Sequence, residues 1–98
     1  MKQVTVLQLD GSKSVEARYK MFSSLDMLER MGLTVKLSEY KKVWSGEMDI
    51  MDAEDVYRTL QGDKPDGYKG HSLSVSDIVM IDDEIMYCDS YGFEKINE

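Results

Sequence analysis

Apolar and polar positions alternate at the start of the chain and again near its end, with helical spacing between. Val4, Val6, Leu7 and Leu9 read as a first strand that stops at Asp10-Gly11. From Ser14 to Met31 the period changes: Ala17, Met21, Leu25 and Leu28 form one ridge, with Val15, Tyr19 and Phe22 beside it. This spacing predicts one amphipathic helix, capped by Ser12 or Ser14 and closed at Gly32. Glu16 with Lys20, and Asp26 with Arg30, stand four apart with the acid first, the better order for a helix-surface ion pair. Leu33, Val35 and Leu37 alternate with polar residues as a half-buried strand does, and a further extended segment runs from Tyr40 to Trp44, closing at Ser45-Gly46.

A second helix is predicted after Asp52. That residue is a good N-cap, Glu54 and Asp55 suit the positive end of the helix dipole, and Ala53, Val56, Tyr57 and Leu60 make the apolar stripe. Met51 and Val56 are spaced for a hydrophobic staple across the cap. Gly62 ends the helix, and Asp63-Lys64-Pro65-Asp66-Gly67 is a loop. Two apolar runs follow, Ile78–Ile81 and Ile85–Cys88, separated by Asp82-Asp83-Glu84; this is the form of a β-hairpin. Tyr91-Gly92-Phe93 then leads to a short final segment ending at Ile96. The expected fold is α+β, one domain over residues 1–98. It has a small mixed or antiparallel sheet of four to five strands, two helices on one face, and a C-terminal hairpin.

Composition narrows the class. A chain of 98 residues, 42% hydrophobic and with one proline, has the makings of one modest core. The single cysteine, Cys88, excludes an internal disulfide framework and fits a reducing cytoplasm. No apolar run approaches the roughly 20 residues of a membrane span, and the alternating start reads as a strand and not as a leader. The expectation is a soluble cytoplasmic domain.

Charge is distributed unevenly. Residues 1–45 carry a net +3 and residues 46–98 a net −10, giving the overall −7. Negative charge gathered in one half suits an acidic face that meets a basic partner. It argues against direct binding to nucleic-acid phosphates, which needs a dense basic patch.

No catalytic or cofactor site emerges from the residue pattern. His71 lies near Ser72, Ser74 and Asp77, but residues so close in sequence seldom form a triad, and no nucleophile elbow is present. Hydrogen bonding to the backbone at the start of the hairpin is the expected role of this group. Cys88 lacks a basic neighbour and reads as a packed thiol. Glu47, Asp49 and Asp52 begin like a calcium loop, yet the glycine and closing glutamate are missing at the required offsets; zinc would need more Cys and His than the chain has. Tyr87, Tyr91 and Phe93, with Tyr40 and Trp44, suit core packing or an aromatic patch that anchors an interface. Eight methionines suit both uses.

The stretch GHSLSVSDIV, a short acidic turn, then MYCDSYGFEKI resembles the YodL-like domain of Firmicutes bacteria and their mobile elements. The specific part is S-x-S-D-I-V … Y-x-D-S-x-G-F, met here by Ser74, Ser76, Asp77, Ile78, Val79, Tyr87, Asp89, Ser90, Gly92 and Phe93. Upstream, VTVLQLDGSKSVEARYKMFSSLDMLERMGL is more loosely similar to the lead-in of that domain. The resemblance carries over no catalytic residues; from the residues themselves no cofactor or metal is expected, a weak Mg²⁺ or Ca²⁺ site on the acidic side being the alternative. The resemblance implies cytoplasmic, protein-directed roles: regulation of the actin-like cytoskeleton, or, for small free-standing copies on phages and other mobile elements, antirestriction and anti-CRISPR inhibition. The expected activity is that of a non-enzymatic inhibitor whose acidic face binds a bacterial protein with a basic surface, such as a type II CRISPR effector nuclease or its guide complex. Direct nucleic-acid and membrane binding are not expected, and the chain would work as a monomer or homodimer. A cytoskeletal regulator is the alternative, and a hydrolase or nuclease a remote one. The candidate contact residues are Asp82, Asp83, Glu84, Glu54, Asp55 and Tyr91. Asp77 and Asp89 are expected to brace the hairpin, and Gly92 to sit at a bulge.

Overall fold

The computed structural model describes residues 1–62 and 64–97. In chain order the elements are β1 (Lys2–Leu9), α1 (Val15–Lys20), α2 (Leu25–Arg30), a 3-10 turn (Leu37–Glu39), β2 (Tyr40–Met48), α3 (Ala53–Gln61), β3 (Ile78–Ile81), β4 (Glu84–Asp89) and β5 (Gly92–Ile96). The five strands form one sheet in the order β2-β1-β3-β4-β5, and every neighbouring pair is antiparallel. The α+β class and the C-terminal hairpin are as expected. The final segment is a true strand, since β5 pairs with β4 from Ile85↔Ile96 to Asp89↔Gly92.

The helices divide between the two faces of the sheet, which corrects the expectation of two helices on one face. Val4, Val6, Val79 and Ile81 pack with Ala53, Val56 and Leu60 of α3. Leu9, Ile78 and Tyr87 pack with Ala17 and Leu28, on α1 and α2. The reason lies in β1 and β3. Each is apolar on both faces of its pleat, and a strand apolar on both sides must be covered on both sides.

The helix expected over 14–31 is two helices. Ser14 caps α1 by accepting from the Ala17 N–H, and Ser24 caps α2 by accepting from the Met27 N–H. Between them Phe22 takes φ +64°, a value no helix contains. As expected, Gly32 closes α2 with φ +71°, and the Gly32 and Leu33 N–H groups return to the Glu29 and Leu28 carbonyls. Asp26 pairs with Arg30 at 3.2 Å as the spacing predicts, whereas Glu16 pairs with Lys36 across the chain. Lys20 instead turns inward and meets Glu39 at 2.5 Å, both side chains being buried.

Leu33, Val35 and Leu37 keep their alternating burial without forming a strand. They lie against the α1–α2 core as an extended strap. β2 runs past Gly46 to Met48, and its register against β1 shifts between Val6 and Leu7, so that Val43 is the extra residue of a bulge and joins the α3-side core. Asp52 caps α3 and Gly62 ends it, as the sequence predicts. The Met51–Val56 staple does not form: Met51 is 84% exposed while Val56 is fully buried. The loop after α3 holds along 64–67, Asp63 lying outside the described residues; the Lys69 N–H donates to the Val43 carbonyl and the Trp44 Nε1–H to the Asp66 carbonyl, which covers the β2 edge.

Candidate partner-binding surface

Three polar side chains fix the part of the chain that joins α3 to the hairpin. Gln8 is buried on the α3 side of β1, and its Nε2 donates to the His71 carbonyl at 2.9 Å and to Asp77 Oδ2 at 3.1 Å. Its Oε1 accepts from the His71 N–H at 3.2 Å. Asp77 Oδ2 also accepts from the Ser74 N–H at 2.9 Å, closing the turn before β3. Burial pushes the Asp77 carboxyl up to about 6, against the opposing pull of the Ser74 N–H, His71 and Gln8. Gly70 passes so close to Gln8 that a Cβ there would strike the Gln8 amide. His71 and Asp77 are thus bracing groups. The imidazole Nδ1 lies 2.7 Å from the Ser72 carbonyl, and Ser72 Oγ accepts from Lys64 Nζ. Among the described residues no serine hydroxyl bonds to the ring, so the nucleophile–base contact of a triad is missing from this geometry.

The motif residues of the hairpin reach across the sheet to the break between α1 and α2. Ser76 Oγ accepts from the Phe22 N–H at 2.9 Å, Tyr87 Oη donates to the Ser23 carbonyl at 2.7 Å, and Asp89 Oδ1 accepts from the Leu25 N–H at 3.1 Å. Tyr40 Oη adds a 2.6 Å bond to the Ser76 carbonyl. Asp77 and Asp89 brace the structure as expected. Gly92, at φ +122°, opens β5 directly after the Ser90-Tyr91 turn, paired with Asp89, and not at a bulge. Tyr40 and Tyr87 belong to the core, which removes them from the aromatic patch; Trp44 is half-buried.

Two clefts flank the first turn of α3. One, of about 360 Å³, lies between α3 and the β4–β5 turn, where Glu54, Tyr57 and Arg58 face Asp89, Tyr91 and Phe93. The other, of about 340 Å³, lies between the start of α3 and the β3–β4 turn; Asp52, Asp82, Asp83 and Glu84 line it with Lys2 and Met51. The β3–β4 turn is two residues long, with Ile81 opposite Glu84. Asp82 takes φ +52° there, and its N–H donates to the Gln3 carbonyl while its carboxylate accepts from the Gln3 N–H. That double bond to β1 leaves Asp83 and Glu84 projecting into solvent.

The six candidate residues are therefore split. Asp82, Asp83 and Glu84 share the second cleft, and Glu54 and Tyr91 share the first. Asp55 lines neither. It is turned back on its own helix, where the Met51 N–H, with Arg58, holds its carboxyl below the usual range. Tyr91 is fully exposed at the tip of its turn. Asp52, Tyr57 and Asp89 join these clefts without having been singled out as contacts, and Phe93, expected in the core or in an aromatic patch, lines the first. Glu54, Tyr57 and Arg58 stand at i, i+3 and i+4 of one helix, so their shared face was readable; the approach of the β4–β5 turn to it was not.

Among the described residues no three His, Cys, Asp or Glu side chains converge as ligands for a metal ion. Burial pushes the Cys88 thiol up to about 11, with Asp77 and Asp89 adding to the effect. No helix among the described residues is long and apolar enough to cross a membrane.

No curated protein and no solved structure matches the chain. The YodL-like domain matches residues 3–98, nearly the whole sequence, and takes in both the hairpin motif and the helix break that it holds. The chain belongs to the YodL-like domain family.

Proposed function

We propose that this domain acts by binding and not by turnover. Its acidic end occupies a basic, nucleic-acid-handling surface of a bacterial defence nuclease, a type II CRISPR effector being the candidate that the resemblance implies. One observation carries the reading: acids from separate segments of the chain converge around the first turn of α3. Asp52, Asp82, Asp83 and Glu84 lie on one side, and Glu54 on the other. The cations among them are Lys2 and Arg58, and Arg58 is paired with Asp55. Such a surface speeds encounter with a basic groove and competes with phosphates there, and the effect weakens as salt rises. Tyr91, fully exposed beside the acids, supplies the kind of aromatic anchor that concentrates binding energy.

The test is affinity and nuclease inhibition measured with purified effector at low and high salt. Asp83→Lys with Glu84→Lys reverses the projecting charges and leaves the Asp82–Gln3 anchor in place. Both affinity and inhibition should fall, and the salt dependence should flatten. Unchanged affinity and inhibition would refute the acidic-end reading. An altered cell width on expression in a strain without CRISPR would favour a cytoskeletal partner.

A further inference from the structure

The cleft between α3 and the β4–β5 turn differs from its neighbour in chemistry. Carboxylates and a lysine dominate the second cleft, whereas three aromatic rings, Tyr57, Tyr91 and Phe93, stand around the first together with Glu54 and Asp89. Glu54 forms no ion pair or side-chain hydrogen bond among the described residues, and its carboxylate reaches across toward Gly92. Asp89 lines the same cleft, while its carboxylate is held at the α1–α2 junction by the Leu25 N–H. The cation that lines the cleft beside Glu54, Arg58, is paired with Asp55.

We propose that this cleft receives an arginine side chain of the partner protein. The assignment rests on the acidic-surface reading above and names what one of its two clefts recognises. A guanidinium is flat, permanently charged and rimmed with donors. It can lie flat against a tyrosine or phenylalanine ring while its edge donates two parallel hydrogen bonds to one carboxylate, which a lysine ammonium cannot do. An unpaired acid beside aromatic side chains, as Glu54 is here, is the complement of that shape and charge. At about 360 Å³ the cleft is at the small end of binding pockets, suited to one side chain and not to a folded segment.

The experiment titrates the 98-residue chain, isotope-labelled and at low salt, with a short acetylated Gly-Arg-Gly amide and with its lysine and citrulline counterparts. The arginine peptide should shift the amides of residues 54–58 and 88–93, the lysine peptide should bind several-fold more weakly, and the citrulline peptide should leave them unmoved. Glu54→Gln, an exposed position that leaves the fold alone, should weaken the arginine peptide by about three- to fivefold, the size of one exposed charge contact. Equal shifts from the citrulline peptide, or arginine shifts confined to residues 82–84, would overturn the assignment. Effector binding separates this proposal from the broader one. If Asp83→Lys with Glu84→Lys abolishes effector binding while Glu54→Gln with Tyr91→Ala leaves it intact, the arginine cleft falls and the acidic-end reading stands. If arginine enters the cleft but no nuclease is bound, the cleft stands and that reading falls.

Discussion

Tyr87 Oη donates to the Ser23 carbonyl at 2.7 Å, so a fully buried ring on β4 holds a backbone group 64 positions earlier in the chain. The bond lands in the interruption between α1 and α2, and Ser76 and Asp89 take up the N–H groups on either side of Ser23-Ser24. A helix break exposes backbone groups that a continuous helix would satisfy internally. Here the hairpin motif satisfies them. Tyr87→Phe should keep the packing and lose the bond, lowering unfolding free energy by about 1–2 kcal/mol in denaturant titration.

Asp89→Ala should act on the same junction from its other side. It strips an acceptor from the first turn of α2, at a cost of about 1 kcal/mol. Amide exchange should accelerate across residues 25–31 more than in α3.

The buried Lys20–Glu39 pair makes a sharper prediction. Ser14 Oγ donates to the second Glu39 oxygen at 3.0 Å, so the acid is satisfied only while both partners are present. Lys20→Met leaves a buried, uncompensated carboxylate and should cost about 3–5 kcal/mol. Adding Glu39→Leu should recover much of that loss, a non-additivity that a double-mutant cycle reads directly.

Two buried acids tilt stability with pH in opposite directions. Desolvation works to raise the Glu39 carboxyl, but the bonds from Lys20 and Ser14 prevail and hold it below its ordinary 4.5. Its contribution is present above that value and is lost as the pH falls through the lower, folded one. Asp77 runs the other way. Its folded value, about 6, lies above the ordinary 3.8, so between roughly pH 4 and 6 the unfolded chain gives up this proton first and stability falls as pH rises. Asp77→Asn should remove that downward slope, and carboxyl resonances should place the Asp77 midpoint near 6 in the wild type.

Gly92→Ala should cost about 1–3 kcal/mol, because φ +122° is a conformation in which a side chain is strained. The loss should come with weakened amide protection in β5 and a displaced Tyr91.

The hairpin, β1, α3 and both α3 caps are legible in the sequence because each follows from short-range signals: a two-residue period, a cap, a closing glycine. The misreadings share a cause. Val15, Tyr19 and Phe22 fall at helical spacing beside the Ala17 ridge, which suggests burial, yet all three are exposed: in α1 the buried positions are Ala17 and Lys20, and Phe22 lies past its end. Ser24 ahead of Leu25 is a usable cap signal; the hydrophobic ridge continuing through it hides the break. Leu33, Val35 and Leu37 have the burial of a strand with no strand to pair with, since periodicity reports which side chains are covered and not what the backbone bonds to. The surface is half legible for the same reason. Charge counting finds the acidic half, while the fold decides that Asp55 turns back on its own helix and that Glu54 stands beside the β4–β5 turn.

The sheet is the single wall between two small rooms. β1 and β3 are lined on both sides, by α3 on one and by the α1–α2 layer on the other. The two clefts that flank the first turn of α3 open onto the α3 room. The opposite room supplies the tether that keeps the β4–β5 turn at its station, through Asp89 and Tyr87. Loosening a helix on one side would therefore shift the rim of a cleft on the far side of the wall.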